Sequence, residues 1–268
     1  MDKTFIMLSG LPRSGSQVLA SMLNQHPKIY ASTTSPVMDL LSIVDSNWAQ
    51  ISAGIQNPNP NQYKNIINGV ISGAHMHIDK PIIVDKNRLW PRAGKLMEFV
   101  LGARPKIICT VRDIPEIIAS FIILINKNGH KITYIDQDLI DSGIPITIRN
   151  RCQLLLEKYI NHPYTSLQIG FQTPEIDLCI VDYHELIADT QNTIDRICTF
   201  IGVESFEVAL SGLQAMDEND AHHGGLEGLH HVRPVVARAS PPPHEVIGYE
   251  LTNYYTNMNL EFWKNNPR

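Results

Sequence analysis

The stretch Gly10-Leu11-Pro12-Arg13-Ser14-Gly15-Ser16-Gln17 lies between the apolar run Phe5-Ile6-Met7-Leu8 and a helical pattern that begins near Val18. A strand that ends in a glycine-bounded loop and restarts as a helix can be built in few ways. In such a turn the loop's backbone N–H groups converge with the helix N-terminus, whose dipole adds partial positive charge, and an anion fits there. Gly10 and Gly15 stand at the Gly-x4-Gly spacing of a phosphate-binding P-loop. The next two positions depart from the nucleotide-hydrolase pattern: Ser16 stands for the lysine and Gln17 for the Mg²⁺-binding Ser/Thr. The loop therefore suits phosphate without a nucleotide-bound metal. Arg13 places a permanent charge with forked donors inside it. A plain tight turn before a helix would carry the same glycines, so a second element has to decide.

That element begins at Lys106-Ile107-Ile108-Cys109-Thr110-Val111, which reads as a buried strand ending at Arg112-Asp113. An apolar helix follows from about Pro115 to Ile125, with Ser120 near its middle. A guanidinium at a strand end and a hydroxyl two turns into the next helix can meet on one phosphate. Leu11-Pro12-Arg13-Ser14-Gly15-Ser16 and Arg112-Asp113-x6-Ser120, in this order, resemble the two cofactor elements of the sulfotransferase family, whose members use 3′-phosphoadenosine 5′-phosphosulfate (PAPS) as donor. Either element alone is weak; the pair is specific. The resemblance implies that Pro12, Arg13, Ser14, Gly15, Ser16 and Gln17 hold the 5′-phosphosulfate. It also implies that Arg112 and Ser120 hold the 3′-phosphate.

The likeness covers roughly the whole chain and points to the tyrosylprotein and bacterial branch. Leu23-Asn24-Gln25-His26-Pro27 follows the first helix as it does there, and Ile82-Ile83-Val84-Asp85-Lys86-Asn87-Arg88-Leu89-Trp90 resembles that branch's strand-end Asp-Lys element. Val181-Asp182-Tyr183-His184-Glu185-Leu186 resembles a tyrosine-bearing strand–turn–helix, which implies a cofactor contact for Tyr183. Gly228-Leu229-His230-His231-Val232-Arg233-Pro234 falls in a late loop where relatives present basic groups to the cofactor. His230 is expected to cover the cofactor from that loop, and Arg233 or Arg238 to close on the 3′-phosphate. The likeness is weakest over 51–78 and 126–144.

Sulfuryl transfer needs neutralisation of the moving group, stabilisation of the leaving oxygen and deprotonation of the acceptor. The first two suit fixed cations and backbone amides in a desolvated pocket. Arg13 meets the first need, and Lys86 is the candidate cation nearest the bridging oxygen. Asp85 reads as a base, as a cap, or as a partner that orients Lys86 or Arg13. In the tyrosylprotein branch a glutamate follows the first helix; counted from the loop arginine, its place is taken by Thr34, which cannot act as a general base at neutral pH. Asp85, His26 and His230 are then the candidate bases, unless the acceptor needs little help. The implied activity is metal-independent transfer from PAPS to a hydroxyl or amine of a small or lipid-like acceptor, with PAP as product. Two alternatives stay open. One is a nucleotide or metabolite kinase on the same fold, against which Ser16 counts. The other is a non-catalytic PAP-binding protein, which Thr34 keeps in play.

The chain's 268 residues, 43% apolar and 18% charged, suffice for one large core, and no linker divides them, so a single domain over 1–268 is expected. A net charge of −5 argues against nucleic acid or an anionic membrane as partner, so the cations that matter must be gathered in a pocket. Cys109, Cys152, Cys179 and Cys198 are far apart and read as reduced thiols. His75-Met76-His77 and the pairs His222-His223 and His230-His231 offer ligand types but no closed four-ligand set, so no metal is expected. The apolar stretch Ile117 to Ile125 is about half what a membrane span needs. A first strand starting near Thr4 leaves no room for a signal peptide, and a cytoplasmic chain is expected.

Short β-branched runs alternate with helical periods, the pattern of a parallel sheet with crossover helices. Strands are expected near 4–9, 81–84, 106–111 and 177–181. Helices are expected near 15–25, 36–46, 63–74, 92–101, 115–125, 146–159, 190–201 and 244–255. The fold implied is α/β, a P-loop-NTPase-like three-layer arrangement with a mostly parallel sheet flanked by helices. Ligands in such sheets sit beyond the carboxyl ends of the strands. Arg13, Lys86, Arg112 and Tyr183 each follow a strand and are expected to converge there.

Overall fold

A computed structural model describes residues 3–129, 131–213, 226, 229 and 241–265 of the chain. Among them, strands β1 (Thr4–Gly10), β2 (Ile29–Ala31), β3 (Ile82–Lys86), β4 (Lys106–Val111) and β5 (Asp177–Asp182) form one parallel sheet in the order β2-β3-β1-β4-β5. The helices, in chain order, are α1 (Ser16–Leu23), α2 (Val37–Trp48), α3 (Ser52–Gln56), α4 (Pro60–Ala74), α5 (Gly94–Leu101), α6 (Ile114–Lys127), α7 (Tyr134–Asp141), α8 (Ile148–Leu154), α9 (Asn161–Gln172), α10 (Tyr183–Ala188), α11 (Thr190–Ile201) and α12 (Pro243–Asn257).

Most strand positions are buried because both faces of the sheet are covered. Alternation along each strand then divides the core into two layers. Phe5 and Met7 of β1 and Ile107, Cys109 and Val111 of β4 face one side, where Leu41 of α2, Ile67 of α4, Met97 of α5, Ile118 of α6, Leu167 of α9 and Leu251 of α12 pack. Ile6, Leu8 and Ile108 face the other, against Leu19 and Leu23 of α1 and Ile194 and Ile197 of α11. This is the three-layer α/β arrangement that the alternating pattern predicts.

The short helices α3 and α10 are absent from the sequence expectations, and three further differences bear on the layers. β2, only Ile29-Tyr30-Ala31, is too short to carry a period of its own, yet it pairs with β3 through Ile29–Ile82 and Ala31–Val84. α7 occupies part of the segment 126–144, where the sequence likeness is weakest. Its start is a capping box in which Thr133 Oγ1 accepts from the Asp136 N–H at 3.2 Å and Asp136 accepts from the Thr133 N–H at 3.3 Å. The helix predicted to end at Tyr159 instead runs on: α8 passes into a π-helical turn over Leu155–Ile160 and then into α9. Pro163 lies three residues past the π-helical turn, and the helix continues through it. All four cysteines are buried thiols, and burial pushes the Cys109 thiol pKa well up. No helix among the described residues is long and apolar enough to cross a membrane.

Candidate active site

β1 ends at Gly10, where φ is 143° and a Cβ would stand 2.3 Å from the Thr110 carbonyl oxygen. Glycine is thus required for β1 and β4 to close on each other, and the Leu11 N–H donates to that same carbonyl at 3.0 Å. Ser14 is fully buried, with its hydroxyl 2.5 Å from the Leu11 carbonyl oxygen and 2.6 Å from Thr110 Oγ1. The hydroxyl therefore ties the loop to β4, leaving only the backbone of Ser14 for a ligand. Gly15 begins α1 with φ 92°, and a Cβ there would sit 3.1 Å from Cδ2 of Tyr183. Among the described residues nothing accepts from the N–H groups of Gly15 and Ser16, the donors that a helix start leaves open. Arg13 is left-handed at φ 60°, a conformation that costs a non-glycine residue about 1–3 kcal/mol and that persists where surroundings impose it.

The surroundings are the second sequence element. Arg13 Nε donates to Ser120 Oγ on α6 at 3.2 Å, and Arg13 Nη1 donates to the Leu229 carbonyl. Arg112, at the exit of β4, donates from Nη1 to the Arg13 carbonyl at 3.1 Å and from Nε to Glu116 Oε2 at 2.9 Å. Its guanidinium carbon lies 4.0 Å from the centroid of the Tyr183 ring, which comes from the exit of β5. Two segments about a hundred residues apart are thus joined by direct hydrogen bonds because β1, β4 and β5 are neighbours in the sheet.

Lys86 closes β3 on the other side of β1. Its backbone N–H donates to Ser32 Oγ at 2.8 Å, and its ammonium donates to the Thr33 carbonyl at 2.5 Å. Asn87 extends this stitching, donating to the Ser35 carbonyl and to Asp39 Oδ2, each at 3.1 Å. Asp85 points to the opposite face of β3. It is fully buried, with Oδ2 3.0 Å from His75 Nε2 and Oδ1 accepting from Trp90 Nε1 at 3.0 Å. Of the roles the sequence offers Asp85, a base, a cap, or an orienting partner of Lys86 or Arg13, none matches these contacts, because both oxygens accept from side chains inside the core. His26 is likewise internal: its Nδ1 accepts from the Lys28 N–H at 3.1 Å and its ring packs edge-on against Phe206. Thr34 is exposed.

Residues 5–207 match the sequence profile of the Sulfotransferase family. The chain belongs to that family. Two solved structures have the same fold. The sulfotransferase domain from the curacin biosynthetic pathway is 17% identical, aligned over 94% of this chain and 98% of that one, with a TM-score of 0.51. Mouse sulfotransferase SULT7A1 complexed with PAP is 15% identical, aligned over 99% of this chain and 86% of that one, with a TM-score of 0.55. No curated protein matches.

In this sulfotransferase-family chain, Arg13, Arg112 and Tyr183 meet as expected; Ser120, expected beside Arg112, bonds Arg13, and Lys86, expected with them, ends the adjoining strand against Ser32 and Thr33. His230, Arg233 and Arg238 lie outside the described residues. Among the described residues no group of three or more His, Cys, Asp or Glu could hold a metal ion. Sequence reasoning passes over Glu116 and His184. Glu116 sits four residues after Arg112, the spacing at which helical side chains meet, and that was the available signal. His184 Nε2 lies 3.1 Å from Glu116 Oε2, a contact between two strand exits that no local pattern encodes.

Proposed function

We propose that this chain, as a single domain over residues 1–268, transfers a sulfuryl group from PAPS to a hydroxyl or amine of a small or lipid-like acceptor in the cytoplasm, without a metal ion. The observation that carries this reading is the junction of Arg13 with Ser120 and of Arg112 with the Arg13 carbonyl, at 3.2 and 3.1 Å, beyond the carboxyl ends of β1 and β4. The donor set fits a nucleotide carrying phosphates at both ends: unaccepted amides at a helix start, two guanidiniums, a hydroxyl and an aromatic wall. The PAP complex of the mouse relative supports the same choice of ligand. When bound, PAPS supplies the sulfuryl group.

The amides of Gly15, Ser16 and Gln17, with Arg13, hold the 5′-phosphosulfate, and Pro12 shapes the turn. Arg112 and Ser120 hold the 3′-phosphate, joined by Arg233 or Arg238. Arg13 gives up Ser120 in this step, because the two side chains then serve different anions. Lys86 stabilises charge on the leaving oxygen. With Asp85 and His26 committed to internal hydrogen bonds, His230 takes the acceptor's proton.

Calorimetric titration with PAP, followed by labelled PAPS offered to a crude metabolite and lipid extract with mass-spectrometric readout, tests the proposal. PAP binding and a sulfated product are expected. Arg13→Ala should weaken PAP binding by about 2–4 kcal/mol, since a charged donor is lost from a partly buried anion site. Stabilisation by ATP·Mg²⁺ but not by PAP would make the chain a kinase. PAP binding without turnover on any acceptor would make it a non-catalytic PAP-binding protein.

A further inference from the structure

Arg112 is unusual in how completely it is held. Its side chain is 5% exposed, and three contacts fix it: Glu116 at Nε, the Arg13 carbonyl at Nη1 and the Tyr183 ring on its flat face. Among the described residues no acceptor meets Nη2. A long side chain with several rotatable bonds is thereby reduced to one donor edge with a set direction, which lowers the ordering cost of each hydrogen bond it makes to an anion.

Glu116 is the centre of that arrangement. The same oxygen, Oε2, lies 2.9 Å from Arg112 Nε and 3.1 Å from His184 Nε2. His184 follows Tyr183 in the first turn of α10, so Glu116 fastens the exit of β5 to the exit of β4. It thereby also holds the Tyr183 ring between Arg112 and Gly15. The Arg112–Glu116 pair is not a surface ion pair of negligible worth, because the two side chains are only 5% and 13% exposed.

We propose that Glu116, braced by His184, is a positioning residue that aims Arg112 at the 3′-phosphate of the nucleotide; this rests on the PAPS-dependent function proposed above. Geometry and charge make opposite demands here. A carboxylate beside an anion site repels the anion, so if charge dominated, removing Glu116 would tighten binding. If orientation dominates, removing it loosens Arg112 and weakens recognition of the 3′-phosphate alone.

The test compares PAP with adenosine 5′-monophosphate, which lacks the 3′-phosphate, by calorimetry on the full chain, with thermal denaturation of each variant alongside. Arg112→Ala sets the scale by abolishing the preference for PAP. Glu116→Ala should cut the PAP-to-monophosphate preference roughly tenfold, the scale on which a partner that orients a ligating group acts. Glu116→Gln, which keeps an oxygen for Arg112 Nε, should retain most of the preference. His184→Phe should lower it less, in the same direction. An unchanged or increased preference in Glu116→Ala, with Arg112→Ala behaving as stated, overturns the inference. If Glu116→Ala does not fold, an unchanged preference in His184→Phe, at a side chain 43% exposed, does so instead. Absence of PAP binding in the unmutated chain overturns the functional proposal itself.

Discussion

Asp85 and Glu116 are each paired with a histidine near a strand exit, at 3.0 and 3.1 Å, and the surroundings of the two pairs differ in every other respect. Asp85 is fully buried; its second oxygen is taken by Trp90, and the Phe5 ring packs edge-on against both His75 and Trp90. Every polar atom of that cluster is answered from within. Glu116 is partly accessible, and its principal partner, Arg112, keeps a donor edge toward the site. Asp85 stands beside Lys86 in a motif that reads as catalytic, whereas Glu116 stands in no motif at all. A carboxylate's role follows from what its partners have left to offer a ligand, and position next to a reactive residue says little about it. Asp85 alternates to the other face of β3 and holds the strand, while Lys86 turns toward the segment Ser32–Ser35.

The largest effect should come from Asp85→Ala. Removing one partner of a fully buried pair leaves His75 and Trp90 unanswered and should cost about 3–5 kcal/mol in urea unfolding. The folded remainder should bind PAP normally. Near-normal stability with lost PAP binding would move Asp85 into the site and erase the contrast.

Lys86→Met should do the converse. It loses one buried hydrogen bond to the Thr33 carbonyl, so the melting temperature should fall less than in Asp85→Ala. Turnover should fall roughly 10²–10³-fold, the loss seen when one donor to a developing charge is removed. A rise in KM with kcat intact would instead mark Lys86 as a ground-state contact.

The smallest effect is in pH. Burial disfavours the charged His75 ring, but the Asp85 carboxylate and the Ile71 carbonyl outweigh it, and the pKa is raised. The geometry agrees: Nδ1 lies 2.9 Å from Ile71 O and Nε2 3.0 Å from Asp85 Oδ2, two acceptors that only a doubly protonated ring satisfies. The pair's stabilisation is therefore full below the unfolded histidine pKa of about 6.5 and is lost as pH rises through the higher folded value. Urea unfolding followed upward from about pH 6 should show that loss, and His75→Gln should flatten it. An equally steep profile in the variant would assign the slope to other groups.

Much of the fold was legible because its signals are local. The apolar runs of β1, β3, β4 and β5 and the helical stripes between them predict a layered parallel sheet, and the sheet is parallel throughout. β2 escaped because three residues cannot show alternation, and its pairing comes entirely from β3. α7 is missing from the expected helices, although Thr133-x-x-Asp136 forms a capping box at its start. The expected helix ended at Tyr159, whereas the chain continues through a π-helical turn into α9, a local change of hydrogen-bond register that periodicity does not show.

The sequence by itself determined the glycine-bounded loop after β1, its departure from the nucleotide-hydrolase pattern and the β4–α6 turn that carries Arg112 and Ser120. Each depends on spacing within one strand–turn–helix. Only the tertiary structure decided which groups meet: Arg13 with Ser120, Glu116 with His184, and Asp85 with His75 rather than with Lys86. Those contacts follow from the order of strands in the sheet and from the face to which each side chain alternates. Strand order is settled by burial of all the helices at once, a global balance of packing that no short stretch of the chain contains.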